Sequence, residues 1–256
     1  MYRILHELLK DHKSDITFNC FGLWHIIYIL FVALIITLVI IKIKNKSEIL
    51  KNKAIKNCII IAFGLYILDF FLMPFAYQEI DLEKLPFHIC TLTCVLCFLS
   101  RHTKFFAKYK FQFAILGFIS NLVYFIYPAG VGWYQIHPLS YRVIQTLMFH
   151  ATMMFYGLLV LVFEIKDLKW RDSFKELIVI IFITIWALIG NTLYNGDIEG
   201  YKHTFNWLFV IQDPFFILPS NIAPYIMPFI VVLAFYLVDL LVYLVYNMLV
   251  KKRVVA

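Results

Sequence analysis

Glycine and proline are sparse in this sequence, nine and eight residues among 256, which excludes a low-complexity or linker-rich chain. Cysteine is also thin. The five present, Cys20, Cys58, Cys90, Cys94 and Cys97, are odd in number, and three share one apolar run, which argues against a disulfide framework. No cleavable signal peptide is expected, because the first apolar run, Leu23 to Ile41, carries its lysines after it rather than before. No internal repeat of the kind many transporters show is visible. What abounds is hydrocarbon: 62% of residues are hydrophobic and the mean hydropathy is +0.82. A soluble domain averages roughly 45–50% apolar residues, so most of this chain has lipid as its solvent.

A helical span needs roughly 20 mostly apolar residues, because the hydrocarbon core is about 30 Å thick and a helix rises ~1.5 Å per residue. Seven segments qualify: 23–41, 57–77, 86–100, 111–128, 142–165, 177–195 and 222–249. The third is short and opens with Pro86, a residue suited to a first helical turn. The expected fold is therefore an all-α polytopic membrane bundle of about seven helices. Residues 1–22 form an extracytoplasmic segment, 23–250 the transmembrane domain and 251–256 a basic cytoplasmic tail. In 2–12, Leu5, Leu8 and Leu9 share a helical face, which suggests a short interfacial helix.

Positive charge sets the orientation. Lys42, Lys44, Lys46, Lys51, Lys53 and Lys56 follow the first span, and Arg101, Lys104, Lys108 and Lys110 follow the third. Lys166, Lys169, Arg171 and Lys175 follow the fifth, and Lys251, Lys252 and Arg253 end the chain. The alternate loops are poor in cations: 78–85 sets Glu79, Asp81 and Glu83 against Lys84, and 129–141 carries no charge. By the positive-inside rule the N-terminus lies outside and the C-terminus in the cytoplasm of a multi-pass cell-membrane protein. The net charge of +7 is spread over these loops, not gathered on one nucleic-acid face. Trp24, Trp133, Trp170 and Trp207 near span ends read as interfacial anchors.

Polar groups inside hydrocarbon are expensive, so their depth is informative. His88, Cys90 and Thr91 open the third span; Asn121 and Tyr124 lie in the outer half of the fourth. Gln145 and His150 lie in the fifth, His150 roughly 12 Å below its outer end at ~1.5 Å per residue. Asn191 and Asn195 end the sixth span, and Asp69 lies near the middle of the second as a costly intramembrane carboxylate. The opposite halves of these spans hold almost nothing comparable. One shared polar cavity near the outer leaflet accounts for this asymmetry.

Cys90, Cys94 and Cys97 lie along one face of an apolar helix and cannot converge on a cluster, so no metal is expected. Cys90 with His150 is a different matter. A buried thiol needs a base to take its proton, and an imidazole within reach can do so and later protonate a leaving group. Asn191 or Gln145 could orient the ring or donate to an oxyanion. These are the parts of acyl transfer through a thioester, without a cofactor.

The stretch LPFHIC at 85–90, continuing TLTCVLCFLSRHTK, resembles the bacterial YwaF integral-membrane family, which is related to the eukaryotic transmembrane protein 164 acyltransferases. Gly117 and Pro128 match a following G…P pair. Arg142, Gln145 and His150 in RVIQTLMFH match an R-x2-Q-x4-H pattern, followed by Asn191, Asn206-Trp207 and Pro214. The resemblance spans roughly residues 55–230. It implies an acyltransferase moving a fatty acyl chain between phospholipids and lysophospholipids, with Cys90 as nucleophile and His150 as base. His88, Gln145, Asn191, Asn121, Asp69 and Arg142 are supporting candidates, although the segment around Asp69 diverges too far to inherit a family role. A transporter or lipid-binding protein using the same polar layer is the alternative, as is a purely structural membrane protein.

Overall fold

Within lipid, every backbone N–H and C=O must be paired inside its own segment, so apolar runs of this length close into helices. A computed structural model describes the chain except residues 1, 13, 78–81, 133, 167, 199–200, 215–216 and 256; the side chains of 2, 77, 129, 197–198, 201–203 and 249–255 are likewise not described. Glu79, Asp81 and Trp133 thus lie outside the described residues. The order is α1 (Tyr2–Leu9), α2 (Leu23–Lys44), α3 (Glu48–Tyr77), α4 (Ile89–His102), α5 (Lys104–Ala107), α6 (Lys110–Ile126), α7 (Ala129–Gly132), α8 (Tyr141–Phe163), α9 (Ser173–Tyr194) and α10 (Ala223–Val255). Between α9 and α10 an antiparallel hairpin pairs β1 (Gly196–Ile198) with β2 (Tyr201–His203).

Among the described residues, six helices (α2, α3, α6, α8, α9 and α10) are long and apolar enough to cross a membrane. The protein is an all-α, multi-pass membrane bundle. α4 is the short member expected from the sequence: its 14 residues rise only ~21 Å, less than the ~30 Å hydrocarbon core. Pro86 precedes this helix in a turn instead of opening it.

The bundle is built on close approaches between α4, α6 and α8. A Cβ added at Gly157 of α8 would come within 2.5 Å of Phe118 Cβ and 2.6 Å of Ala114 O on α6. One at Gly117 of α6 would meet Met153 of α8 at 3.3 Å and Cys97 and Thr93 of α4 at 3.7 Å. Small residues are what let membrane helices touch backbone to backbone, since lipid removes the hydrophobic drive for association. Cys94 and Cys97 are fully buried in this seam, as a packing stripe. α3 closes over α4 and α8 by stacking Phe63 on Phe98, 4.1 Å between centroids, and by the Cys58 thiol donating to Thr152 O at 3.4 Å. α2 is peripheral; it is tied down where His25 bonds Phe125 O (3.0 Å) and Tyr28 donates to Pro138 O (2.9 Å). α1 forms as expected and docks on α3 through His6 Nδ1 and Phe75 O, 3.0 Å apart.

The end of the bundle that carries the lysine-rich loops is more polar inside than the sequence suggests. Arg101 reaches Glu164 with two N–H groups at 2.9 and 2.6 Å, Lys110 joins at 2.6 Å, and Arg101 Nε donates to Tyr156 (3.0 Å). Glu176, Asp239 and Gln112 are buried at this end as well, which corrects the expectation that this half holds almost nothing polar. The cause is that α9 begins at Ser173, earlier than the expected 177, so Glu176 occupies its first turn, where the helix dipole favours an acid and α10 covers it.

Gly157→Ala should lower the stability of the purified protein by about 1–3 kcal/mol through overpacking. Gly64→Ala, at a helical glycine with nothing within 4 Å of an added Cβ, should be neutral or slightly stabilising. Thermal unfolding in detergent reads both; equal effects would refute the close-approach account.

Candidate active site

The turn before α4 is fixed on three sides. Tyr66 of α3 donates to Lys84 O at 2.9 Å, and Lys84 Nζ lies 2.9 Å from Asp69 Oδ2. Asp69 Oδ1 accepts from Tyr141 at 2.9 Å. The carboxylate is therefore paired: Lys84 folds back from its loop to meet it, and its position is accounted for by anchoring. On the far side, Trp186 Nε1 donates to Pro86 O at 2.9 Å. Phe87 then sits among Trp207, Trp186 and Tyr194, at 4.9, 5.5 and 5.7 Å between centroids. The glycine at 190 makes room for it, since a Cβ there would lie 2.5 Å from Phe87 Cγ.

Trp207 is itself clamped. Asn191 accepts from Trp207 N at 2.9 Å and donates to Trp207 O at 3.1 Å. Asn195, one turn further, grips Phe205 N and O in the same way. Both amide atoms of Asn191 are thereby committed to the loop, and the side chain does not reach the His150 ring. Trp207 is 1% exposed, a buried packing residue where an interfacial anchor was expected. Asn206 binds its own loop, accepting from Ile211 N and Gln212 N at 3.2 Å. Leu208 and Phe209 hold left-handed backbone, at φ 60° and 55°, a strain this set of amide clamps retains.

With its start fixed, α4 places His88 at the N-cap and Cys90 at the second helical position. The Cys90 thiol points at α6 and donates to Ser120 O at 3.8 Å. The next residue, Asn121, receives His150 of α8, Nδ1 to Oδ1 at 2.7 Å. Thiol and imidazole thus dock on successive residues of one helix. Among the described residues no hydrogen bond joins them directly. Tyr124, one turn along α6, stacks on the His150 ring at 3.9 Å, and Phe149 packs edge-on at 5.1 Å.

The hydrogen bonds fix the imidazole's tautomer. Asn121 Nδ2 donates to Gly117 O at 2.7 Å, so its Oδ1 is the atom turned to the ring. An oxygen acceptor requires Nδ1 to carry the hydrogen, which leaves the lone pair of a neutral imidazole on Nε2. Asn121 is thus the orienting amide, in place of Asn191 or Gln145. Gln145 is buried and accepts from Thr146 at 3.4 Å. Arg142 turns outward to Asp11, 3.1 Å, and over the Tyr134 ring. Ser120 carried no sequence signal beyond standing beside Asn121.

A family model, that of the TMEM164 family, matches residues 20–249. The chain belongs to the TMEM164 family. The match takes in α2 to α9 and nearly all of α10, and with them Cys90, Ser120, Asn121 and His150. No curated protein and no solved structure matches the chain. In this TMEM164-family bundle, the segments that hold the turn before α4 come from α3, α8 and α9 and from the loop after β2.

Gly190→Ala should push Phe87 out of its aromatic box and lower the melting temperature. Combining it with Phe87→Leu should recover part of the loss, since contacting sites couple by about 0.5–3 kcal/mol. Strictly additive losses in the double variant would show that the two residues do not share a space.

Proposed function

We propose that this TMEM164-family protein is a membrane acyltransferase that moves a fatty acyl chain between phospholipids through a thioester on Cys90. The observation that carries this reading is the docking of Cys90 and His150 on adjacent α6 residues, with Asn121 holding Nδ1 so that Nε2 keeps its lone pair. The reaction requires the thiol to turn from Ser120 O to another staggered rotamer and pass its proton to Nε2. The thiolate attacks the ester carbonyl of a glycerolipid. The oxyanion that forms is served by the first N–H groups of α4, which have no carbonyl one turn earlier to bond. Collapse breaks the ester C–O bond, and the leaving alkoxide takes the proton from Nε2 as a lysophospholipid. A second lysophospholipid gives its hydroxyl proton to Nε2, attacks the thioester and leaves with the acyl group; the thiolate recovers its proton.

The alternation of basic and cation-poor loops supports an N-terminus outside and a C-terminus in the cytoplasm, which puts the thiol in the outer leaflet. A donor reached laterally from the membrane suits that depth better than a soluble acyl thioester. The LPFHIC block favours the bacterial YwaF branch of the relationship. A second reading, a lipid-binding or transport protein, draws on the resting thiol's bond to Ser120 O, which needs nothing from His150.

Intact-mass analysis after incubation with phosphatidylcholine vesicles tests the enzyme. A mass gain of one acyl chain, released by hydroxylamine and absent from Cys90→Ser, is expected. His150→Ala should slow its formation by roughly 10²–10⁴-fold, the usual weight of a general base. A hydroxylamine-labile adduct persisting in Cys90→Ser, or none with any phospholipid, would overturn the mechanism.

A further inference from the structure

The lysine-rich end of the bundle buries two carboxyl groups for which the acyl-transfer reading has no use. Glu176 in the first turn of α9 and Asp239 in α10 are both 0% exposed. Both lie in the buried seam between α9 and α10. Tyr243, one turn beyond Asp239, donates to Glu176 Oε2 at 3.3 Å. That leaves three acceptors stranded: among the described residues, Glu176 Oε1 and both oxygens of Asp239 have no hydrogen-bond partner.

Among the described residues no salt bridge reaches either carboxyl group. Arg101 and Lys110 are committed to Glu164, and Lys175 to Asp172. The neighbours in this seam are uncharged: Ser173 bonds Tyr236, and Trp170 stacks on Tyr243. Two carboxylates buried in one helix seam without a counter-ion cannot both hold charge. A metal ion would be poorly served, because two carboxyl groups and a tyrosine fall well short of the six to eight oxygens that calcium takes, and magnesium demands an octahedron. A hydrogen on one carboxyl oxygen supplies the missing donor.

We propose that Glu176 and Asp239 form a proton-binding site within the membrane, one proton shared between the two carboxyl groups, that fastens α10 to α9. The proton comes from water at the lysine-rich face and returns there, so no other reactant is needed. The sign of its effect on stability follows from linkage. The folded chain binds a proton that the unfolded chain releases near neutrality, so stability falls as pH rises.

The full-length protein in dodecyl maltoside micelles, which carry no ester carbonyl, provides the test, by infrared spectroscopy and thermal unfolding from mildly acidic to mildly alkaline pH. The wild type should show a protonated-carboxyl C=O band at neutral pH and a melting temperature that drops as pH rises. Asp239→Asn and Glu176→Gln should each abolish the band and flatten the pH dependence. A band unchanged in both variants, an identical pH slope in all three proteins, or a wild-type melting temperature raised by calcium or magnesium chloride would overturn the proposal. The infrared arm reads the wild type alone should either variant fail to fold. Acyl-adduct formation plays no part in either readout, so this site and the thioester mechanism stand or fall separately.

Discussion

The backbone approach of α4, α6 and α8 at Gly117 and Gly157 is the constraint from which the site's geometry follows. Ser120 and Asn121 lie one turn beyond Gly117 on α6, and a side chain takes little more than a turn of helix to reach a neighbour. Spread the helices by the width of a methyl group, and the Cys90 thiol loses Ser120 O while His150 loses Asn121. Dispersion and small-residue packing hold this arrangement, because in lipid the apolar surface of a helix gains little by meeting another.

A helix as short as α4 has to be held at the right depth by something other than its own length. Two partly buried ion pairs do this. Lys84, just ahead of it, is paired with Asp69 of α3, and Arg101, in its last turn, is paired with Glu164 beyond α8. Isolated buried charges in a membrane would cost several kcal/mol each, and removing one partner leaves the other exposed to that penalty. The aromatic box around Phe87 adds a lateral restraint, itself secured by the asparagine clamps of α9. The thiol therefore occupies a defined place although its helix cannot span the bilayer.

Much of the fold was legible in the sequence. Hydropathy placed the spans, and the shortness of the third was visible in 86–100. Cys90 and His150 could be brought together from the sequence only on the condition that spans 3 and 5 are neighbours; here α6 is the helix on which both dock. Which amide would meet the ring was not legible, since Asn121, Gln145 and Asn191 all lie near that level and the choice depends on which helices touch. Asn191 went instead to Trp207, a pairing set by a loop whose path no periodicity encodes. Glu176 was hidden for a different reason: it stands between Lys175 and Leu177 at the edge of a basic loop and reads as a solvated charge. Asp239 is a lone carboxyl in an apolar helix, and no periodicity links it to a residue so far away in the chain.

In the proposed mechanism Asn121 decides which imidazole nitrogen keeps its lone pair. Solid-state nitrogen NMR of ¹⁵N-histidine-labelled protein in lipid, with His150 assigned by comparison with His150→Gln, reads this directly. The account requires a neutral ring at neutral pH with hydrogen on Nδ1 and none on Nε2, and loss of that preference in Asn121→Leu. A ring carrying its hydrogen on Nε2 in the native protein would leave the thiol without a base and contradict it.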